Sequence, residues 1–378
     1  MIEPRLNSSG GEKKSAFVIS PQPWDGFKVS KHHYAVALAR SGWQVYFIDP
    51  PRPFQFARRI QCQAAEVDGI QRVSYSLPVP GWAKFHARPL FDRAMRRHAR
   101  RLTSELGTPD LVWDFDNSYQ FRDLRPFGAT KSIFHLVDQG LKGMGDKHAD
   151  SCIHLHPSFC EWAGFDPSRS FQIGHGVSVD FIDSCATTSC TGSSDSVLTF
   201  GVVGNLAAKW FDWDTVLEIA RRQPSARFVL WGPHPSVDRA NGSLRAAMES
   251  SQFHFRGLSR PEDIAASSGE VDVWLVPFLN EALPGGPLNS HKILEYLSTG
   301  RVVAMTWLEA WEENPHVSML EKSPSDSFAD LVDKVAERLA DLNSSRARSD
   351  RLAFARRRTY EHRLNAVLTS AGFAAEGL

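Results

Sequence analysis

Long apolar runs, paired cysteines and an excess of one charge are all missing from this 378-residue sequence. No stretch approaches the roughly 18 apolar residues that a membrane-spanning helix needs, and the polar start, residues 1–14, lacks the apolar centre of a signal peptide. The five cysteines include no Cys-x-x-Cys pair, which favours a reducing compartment over a disulfide framework. Lysine plus arginine (43) equals aspartate plus glutamate (43), so net charge does not direct the molecule to nucleic acid. These absences predict a cytoplasmic protein, and they leave open a peripheral position on the inner face of the cell membrane.

The first half of the chain is built from alternating strands and helices. Residues 15–20 read as a buried strand, residues 31–41 as a helix with one apolar side, and residues 43–48 as a second strand. Such a β-α-β unit implies a parallel sheet. We expect an N-terminal Rossmann-like domain over residues 1–185, and the resemblance described below makes it the acceptor-binding one.

A polar stretch then separates two like halves. Residues 186–196 are rich in Ser and Thr, have almost nothing to bury, and are the predicted linker. Beyond them the alternation restarts, which predicts a C-terminal domain over residues 197–345, the donor domain by the resemblance described below. A closing helical segment, residues 346–378, is expected to cross back to the first domain. The predicted class is α/β, with two Rossmann-like doubly wound domains facing across a cleft at the carboxyl ends of their strands.

In the second half, residues 282–300, ALPGGPLNSHKILEYLSTG, consist of a Gly-Pro loop that runs directly into a predicted helix beginning at about Ser290. The apolar stripe of this helix consists of Ile293, Leu294 and Leu297. Asn289 or Ser290 suits the N-cap position, where free N–H groups favour an anion. Lys292 adds a positive charge for phosphate, and Glu295 offers acceptor oxygens for a ribose diol. An ordinary surface helix with a Lys292–Glu295 ion pair explains the same residues.

A glycine also stands at a second predicted strand end, in TFGVVGNLAAKWFDWD. Gly204 follows the strand and permits close backbone approach to a phosphate, which Lys209 could neutralise. A β-turn glycine beside an exposed lysine is the plainer interpretation. Because Gly201 and Gly204 form a GxxG pattern instead of GxGxxG, a nicotinamide cofactor is not expected.

Several stretches resemble bacterial GT-B glycosyltransferases of the group 1 type, in particular the teichuronic acid transferase subgroup and the xanthan glucuronosyltransferase. GVVGNLAAKWFDWDTVLEIARRQPSARFVLWGP, VDVWLVPF and NSHKILEYLSTGRVVA are similar to their donor domain. FHLVDQ, IGHGVSVDFI and RTYEHRLNAVL are similar to parts of the acceptor domain, the interdomain joint and the closing helix. The resemblance implies transfer of a sugar from a nucleotide-diphosphate sugar, UDP-linked, to a saccharide or lipid-linked saccharide acceptor in surface polysaccharide assembly, without a metal or other cofactor.

The resemblance also assigns donor-site residues. Lys292 would meet the donor phosphates and Glu295 the ribose. Two further residues, Gly257 and Leu258, would hold the base through their backbone. The donor cleft and the diphosphate would be lined by Gly204, Asn205, Lys209, Asn289, Ser290 and His291. A sugar-nucleotide epimerase of the same fold and a catalytically silent nucleotide-sugar-binding protein are the two alternative functions.

The catalytic base is less directly indicated. Asn205 and Pro287 stand where group 1 enzymes commonly have an arginine and a glutamate, so an inverting or a retaining mechanism stays open. An inverting enzyme needs a base on the acceptor side, and Asp138, after the predicted strand SIFHLV, is the candidate; a turn-capping aspartate explains it equally. Asp25 is the second candidate, and His135 reads as a strand residue.

Two charged patterns need a separate interpretation. WDFDN contains Asp114 and Asp116, a DxD pair of the kind that holds a metal in GT-A transferases, which we attribute to chance. Residues 84–106 interleave apolar side chains with Arg93, Arg96, Arg97, Arg100 and Arg101. They predict a basic amphipathic helix that lies on anionic lipid, with a solvated helix face as the alternative. No nucleic-acid motif accompanies it.

Overall fold

The computed structural model describes residues 13–26, 28–55, 60–138, 142–186, 197–240, 242–282 and 290–373. The chain divides into two compact units: Met1–Gly174 with Leu364–Leu378, and His175–Arg363. Each unit contains its own predominantly parallel sheet.

The sheet of the first unit has its strands in the order β3-β4-β2-β1-β5-β6-β7-β8. These strands are β1 (Ser15–Ile19), β2 (Gln44–Ile48), β3 (Gln61–Ala64), β4 (Ile70–Ser74), β5 (Leu111–Asp114), β6 (Lys131–Leu136), β7 (Ser151–His154) and β8 (Ser170–Gln172). The helices before residue 175 are α1 (Ser30–Arg40), α2 (Ala83–His86), α3 (Arg88–Leu106) and α4 (Pro157–Ala163). Only the β3–β4 pairing is antiparallel among the described strands. The direction of winding reverses between β1 and β5, which is where open α/β sheets bind ligands.

The second unit repeats this arrangement on a smaller sheet, ordered β11-β10-β9-β12-β13-β14. Its strands are β9 (Thr199–Val203), β10 (Arg227–Trp231), β11 (Phe253–Gly257), β12 (Val273–Val276), β13 (Val302–Met305) and β14 (Ser318–Met319). Its helices are α5 (Val179–Ala186), α6 (Trp213–Arg222), α7 (Gly242–Glu249), α8 (Pro261–Ser267), α9 (Lys292–Ser298), α10 (Phe328–Glu337), α11 (Leu339–Leu342) and α12 (Ser345–Arg356). All pairings of this sheet are parallel, and its winding reverses between β9 and β12.

The units meet along the chain at residue 174, whereas the sequence analysis placed the end of the first domain at residue 185. The difference arises because Phe181 and Ile182 of α5 pack into the core of the second unit. The last helix, α13 (Tyr360–Ser370), begins in the second unit and ends in the first, where the Ser151 hydroxyl donates to the Ser370 carbonyl at 3.0 Å. Most of the predicted linker, residues 187–196, lies outside the described residues.

The basic segment is two helices, not one, because Ala87 leaves the helical conformation at φ −140°. The predicted apolar face of α3 is already occupied: Phe91, Met95 and Leu102 are buried in the core of the first unit. That face is therefore unavailable to lipid. Among the described residues, every helix is too short or too polar to cross a membrane.

Candidate active site

Three glycines form the carboxyl edge of the sheet in the second unit, one at the end of each of β9, β10 and β11. The Gly204 N–H donates to the Trp231 carbonyl at 2.9 Å, and the Gly232 N–H donates to the Gly257 carbonyl at 2.7 Å. Gly232 has φ +140°, and a Cβ atom there would lie 1.7 Å from the Gly204 carbonyl oxygen. Apart from the glycine itself and its two chain neighbours, no heavy atom of the described residues lies within 4 Å of a Cβ built on Gly204 or Gly257. The edge is thus tightly packed at Gly232 and open at its two neighbours.

Helix α9 is fixed to this edge by Tyr296. The Val203 N–H donates to the Tyr296 hydroxyl at 2.7 Å, and that hydroxyl donates to the Val203 carbonyl at 3.2 Å. The ring of Tyr296 stacks on Trp274 with centroids 4.5 Å apart. Since Val203 directly precedes Gly204, these contacts hold α9 beside the open glycine, at the reversal point between β9 and β12.

The predicted donor residues of α9 lie on its half-exposed side. The helix begins at Lys292, with His291 at the N-cap position and no side-chain cap, not near residue 290 as predicted. Lys292 and Glu295 are one turn apart and half-exposed, and no ion pair joins these two described residues. The alternative interpretation of α9 was a surface helix stabilised by a Lys292–Glu295 ion pair, and the described residues do not form that pair. Ser290 precedes His291, and Asn289 lies outside the described residues.

The segment after Gly204 forms one wall of a cavity of about 440 Å³. Asn205 is exposed, and its side-chain oxygen accepts from the Ala207 N–H at 3.1 Å, an Asx turn. Exposed Lys209 lines the cavity together with Arg239 and Ser243. On β11, which lies on the far side of β10 from β9, Leu258 follows Gly257 and is 59% exposed. Two open backbone turns therefore lie along this sheet edge, and Lys209 lines the cavity that begins after the first of them.

His175 lies against the start of α9. Its ring contacts that of His291 edge-on, with centroids 5.8 Å apart, and its carbonyl accepts from Arg363 at 3.1 Å. Burial, reinforced by His291 and Arg363, lowers the pKa of His175 to about 3. His175 is therefore a neutral imidazole at physiological pH.

In the first unit, Asp138 lies two residues beyond the end of β6 and is exposed. Lys31, at the start of α1, is only 3% exposed. Burial lowers the pKa of Lys31, and the carboxylates of Asp138 and Asp116 oppose that shift. A buried ammonium group and an exposed carboxylate therefore share the carboxyl edge of this sheet.

The DxD pair is a structural element of the first unit. Asp114 accepts from the Asp116 N–H at 2.7 Å and from the buried Lys147 ammonium at 2.8 Å. Asp116 accepts from the N–H groups of Ser118 and Gln120, at 3.0 and 2.6 Å. All four carboxylate oxygens are used by the protein, so the interpretation of this pair as a chance match is the one that the geometry favours.

The other candidates in the first unit have structural partners. Arg72 forms an ion pair with Asp25 at 2.5 Å. His135 is 1% exposed and lies among aromatic rings, 4.9 Å from that of Phe115 and 6.0 Å from that of Trp113. The expectation that His135 is a strand residue is confirmed, and it is fully buried where partial burial was expected.

Three residues at the carboxyl edges of the two sheets were not identified from the sequence. Gly232 carries the same signal as Gly204, a glycine directly after a predicted strand, in FVLWGP. Tyr296 and Lys31 carry none, because their roles depend on contacts with distant parts of the chain.

No protein-family model and no curated protein matches this chain. Solved structures do match it over nearly their whole length. Sucrose-phosphate synthase from Thermosynechococcus elongatus is 12% identical, with a TM-score of 0.64 over 94% of this chain and 98% of its own. HepE from Anabaena, in complex with UDP and glucose, is 12% identical, with a TM-score of 0.61 over 95% of this chain and 98% of its own.

A third structure, an α,α-trehalose-phosphate synthase (UDP-forming) from Burkholderia xenovorans in complex with glucose-6-phosphate, is 14% identical. Its TM-score is 0.64 over 95% of this chain and 100% of its own. These likenesses confirm the predicted fold class, GT-B.

Proposed function

We propose that this protein is a glycosyltransferase that moves a sugar from a UDP-linked donor to a saccharide or lipid-linked saccharide acceptor. The observation that supports it best is the meeting of Gly204 and α9 at the reversal point of the second sheet. There an open backbone turn, a half-exposed lysine and a half-exposed glutamate lie at the place where doubly wound sheets bind their ligands.

The donor diphosphate would lie between Gly204 and the start of α9. Lys292 would pair with the phosphates, with the backbone at Ser290 and His291 as further donors and Asn289 adjoining them. Glu295 would accept from the ribose hydroxyls.

The departing diphosphate needs positive charge, and Lys292 and Lys209 can supply it without a resident metal. The backbone at Gly257 and Leu258 would hold the base, and Asn205 would line the cleft. Domain boundaries near residues 174 and 363 separate this donor unit from the acceptor unit.

On the acceptor side, Asp138 would take the proton of the attacking hydroxyl in an inverting reaction. Its exposure leaves it accessible to an acceptor. In a retaining reaction the same carboxylate would orient the acceptor.

The solved structures support the same chemistry by likeness of fold. HepE was solved with UDP and glucose, and the Burkholderia xenovorans synthase is UDP-forming. By resemblance we place the transfer in the assembly of a bacterial surface polysaccharide.

The test is calorimetric titration with UDP, GDP and ADP, followed by product analysis with the matching sugar nucleotides. UDP is expected to bind most tightly. Lys292→Ala is expected to weaken UDP binding by about 1.5 to 3 kcal/mol, because it removes a charge-assisted contact.

Lys334→Ala is the matched control, since Lys334 is an exposed lysine of the same unit that pairs with Asp326; it should leave UDP affinity unchanged. Equal affinity in Lys292→Ala and the unaltered protein would count against the site. An epimerised nucleotide formed without acceptor would favour the epimerase, and tight binding without turnover the silent binding protein.

A further inference from the structure

Helix α2 with its N-cap and the first turn of α3 expose three large apolar side chains, Trp82, Phe85 and Leu90, which we term the apolar corner. Their exposed fractions are 59%, 79% and 55%. Trp82 and Phe85 are three residues apart and project from one turn, since the Phe85 N–H donates to the Trp82 carbonyl at 3.0 Å. Single exposed apolar residues are ordinary, but three within residues 82–90 form a patch that needs a partner.

An arginine stripe continues from this corner along α3. The buried side of α3 consists of Phe91, Met95, His98, Ala99 and Leu102. The opposite side, at helical spacing from Leu90, carries Arg93, Arg97, Arg100 and Arg101. Arg101 pairs with Glu105 at 2.6 Å. In the part of the chain that the structure describes, Arg93, Arg97 and Arg100 are exposed and form no ion pair, so the stripe presents positive charge that the protein does not neutralise.

We propose that the apolar corner and the arginine stripe dock the first unit on a bilayer containing anionic phospholipid. Trp82, Phe85 and Leu90 enter the interfacial layer, where tryptophan is favoured, and the arginines lie over the lipid phosphates. This differs from the helix predicted from sequence, whose apolar face packs inside the protein. The membrane contact is made by the corner instead.

Other partners account for only part of this surface. A second copy of the chain, bound through the same face by two-fold symmetry, would bring two arginine stripes together. Nucleic acid would explain the arginines and leave the three apolar side chains without a role. An anionic bilayer accounts for both the exposed arginines and the three exposed apolar side chains.

The corner also lies beside the acceptor edge of its own unit. Lys84 of α2 donates to the Ser118 hydroxyl at 3.0 Å, and Ser118 follows Asp116 at the carboxyl end of β5. Docking would therefore bring the edge that carries Asp138 close to the lipid headgroups, which suits a lipid-linked acceptor. This last step rests on the proposed function, whereas the docking itself does not.

The test is co-sedimentation of the full-length protein with phosphatidylcholine vesicles, with and without phosphatidylglycerol. The unaltered protein is expected to bind only the anionic vesicles. The triple variant Trp82→Ser, Phe85→Ser, Leu90→Ser should reduce the partition coefficient about tenfold or more at any salt concentration. The triple variant Arg93→Gln, Arg97→Gln, Arg100→Gln should reduce it about a hundredfold at low salt and less at high salt.

Two control variants test whether vesicle binding depends on where the altered residues lie and not merely on the loss of an aromatic side chain or of positive charge. Phe171→Ser removes an exposed aromatic side chain from β8 of the same unit. Arg221→Gln with Arg338→Gln and Arg346→Gln removes the same charge from exposed positions of the second unit. Both controls should bind anionic vesicles normally.

Vesicle binding that is absent, or equal in all variants, would overturn the docking proposal, as would binding of nucleic acid in preference to vesicles. UDP titration of the same proteins tests the transferase proposal separately. Binding of UDP without binding of vesicles would reject the docking proposal alone. Binding of vesicles without binding of nucleotide would reject only the transferase proposal.

Discussion

Gly232 is the residue whose identity is most tightly fixed by its neighbours. Its φ of +140° and the 1.7 Å approach of a Cβ atom to the Gly204 carbonyl oxygen leave room only for hydrogen. Gly204 itself faces open space, so packing does not require its missing side chain, and under the proposed function that space would admit the donor diphosphate. The sequence shows both glycines at strand ends, yet it cannot distinguish these roles, because the distinction lies in a contact between β9 and β10.

Alanine substitutions should separate the two roles. Gly232→Ala is expected to lower the free energy of unfolding of the second unit by about 2 kcal/mol or more, through overpacking and backbone strain. Gly204→Ala should fold with nearly unchanged stability and bind UDP more weakly. Urea denaturation and UDP calorimetry measure the two effects. Equal stability losses in the two variants would contradict this assignment.

The proposed role of Asp138 as the catalytic base can be tested by a single substitution. Asp138→Asn keeps the size and removes the basic oxygen, so UDP affinity should be unchanged while the rate of transfer falls by on the order of 10²-fold or more. Initial rates with saturating donor provide the measurement. Asp68→Asn, at an exposed aspartate of the same unit, should transfer normally, and a fully active Asp138→Asn variant would remove Asp138 as the base.

Secondary structure elements with strong apolar patterns were predictable to within a residue or two. The strands predicted at residues 15–20 and 43–48 are Ser15–Ile19 and Gln44–Ile48 in the structure, and the helix predicted at residues 31–41 is Ser30–Arg40. Strand β3, QCQA, was missed because all four residues are exposed and give no alternation. Helix α9 begins two residues later than predicted, since its first turn has no side-chain cap. Local pattern thus predicts buried elements well and exposed edges poorly.

The position of α9 depends on Tyr296, which the sequence does not single out. Tyr296→Phe would leave the Val203 N–H and carbonyl groups without this partner, and should lower the free energy of unfolding by about 1 to 3 kcal/mol. Because α9 would lose its attachment beside Gly204, UDP affinity should fall as well. Chemical denaturation and calorimetry measure the two effects.

Tyr46→Phe is the control for this substitution. Tyr46 keeps its ring contact with Phe17, and among the described residues its hydroxyl makes no hydrogen bond. Unchanged UDP affinity in Tyr296→Phe would show that α9 is held by its apolar stripe alone.

At the scale of the whole molecule, the two-domain plan was readable because each half repeats the same alternation of strands and helices. The boundary was misplaced by about ten residues, since α5 is joined in sequence to the first half but packs with Ile264 and Ile293 of the second. The donor residues could be proposed from sequence because they cluster at one helix start and two strand ends. Asp138 could also be proposed from sequence, but its closeness to Lys31 and Asp116 could not, because these three residues come from separate segments of the chain.

Both units contain a histidine that folding keeps neutral, and this gives the protein a characteristic dependence on pH. His32 is fully buried; its Nδ1 accepts from the Val29 N–H at 3.2 Å, and its Nε2 lies 3.1 Å from the Pro23 carbonyl. Burial lowers the pKa of His32 to about 4, against roughly 6.5 in the unfolded chain. His175 in the second unit is shifted in the same direction.

At pH values between the pKa of His32 in the folded unit, about 4, and that in the unfolded chain, roughly 6.5, the unfolded chain binds a proton that the folded unit does not. The contribution of His32 is therefore complete above about pH 6.5 and is lost as pH falls toward 4, by up to about 3 kcal/mol. His32→Asn keeps an acceptor for Val29 and removes the titrating group, so its stability deficit, measured by urea denaturation, should shrink steadily from pH 7.5 to pH 4.5. His254→Asn, at an exposed position, should follow the unaltered protein throughout. A His32→Asn deficit that is constant with pH would mean that folding does not lower the pKa of His32, contrary to its burial and its hydrogen bond from Val29.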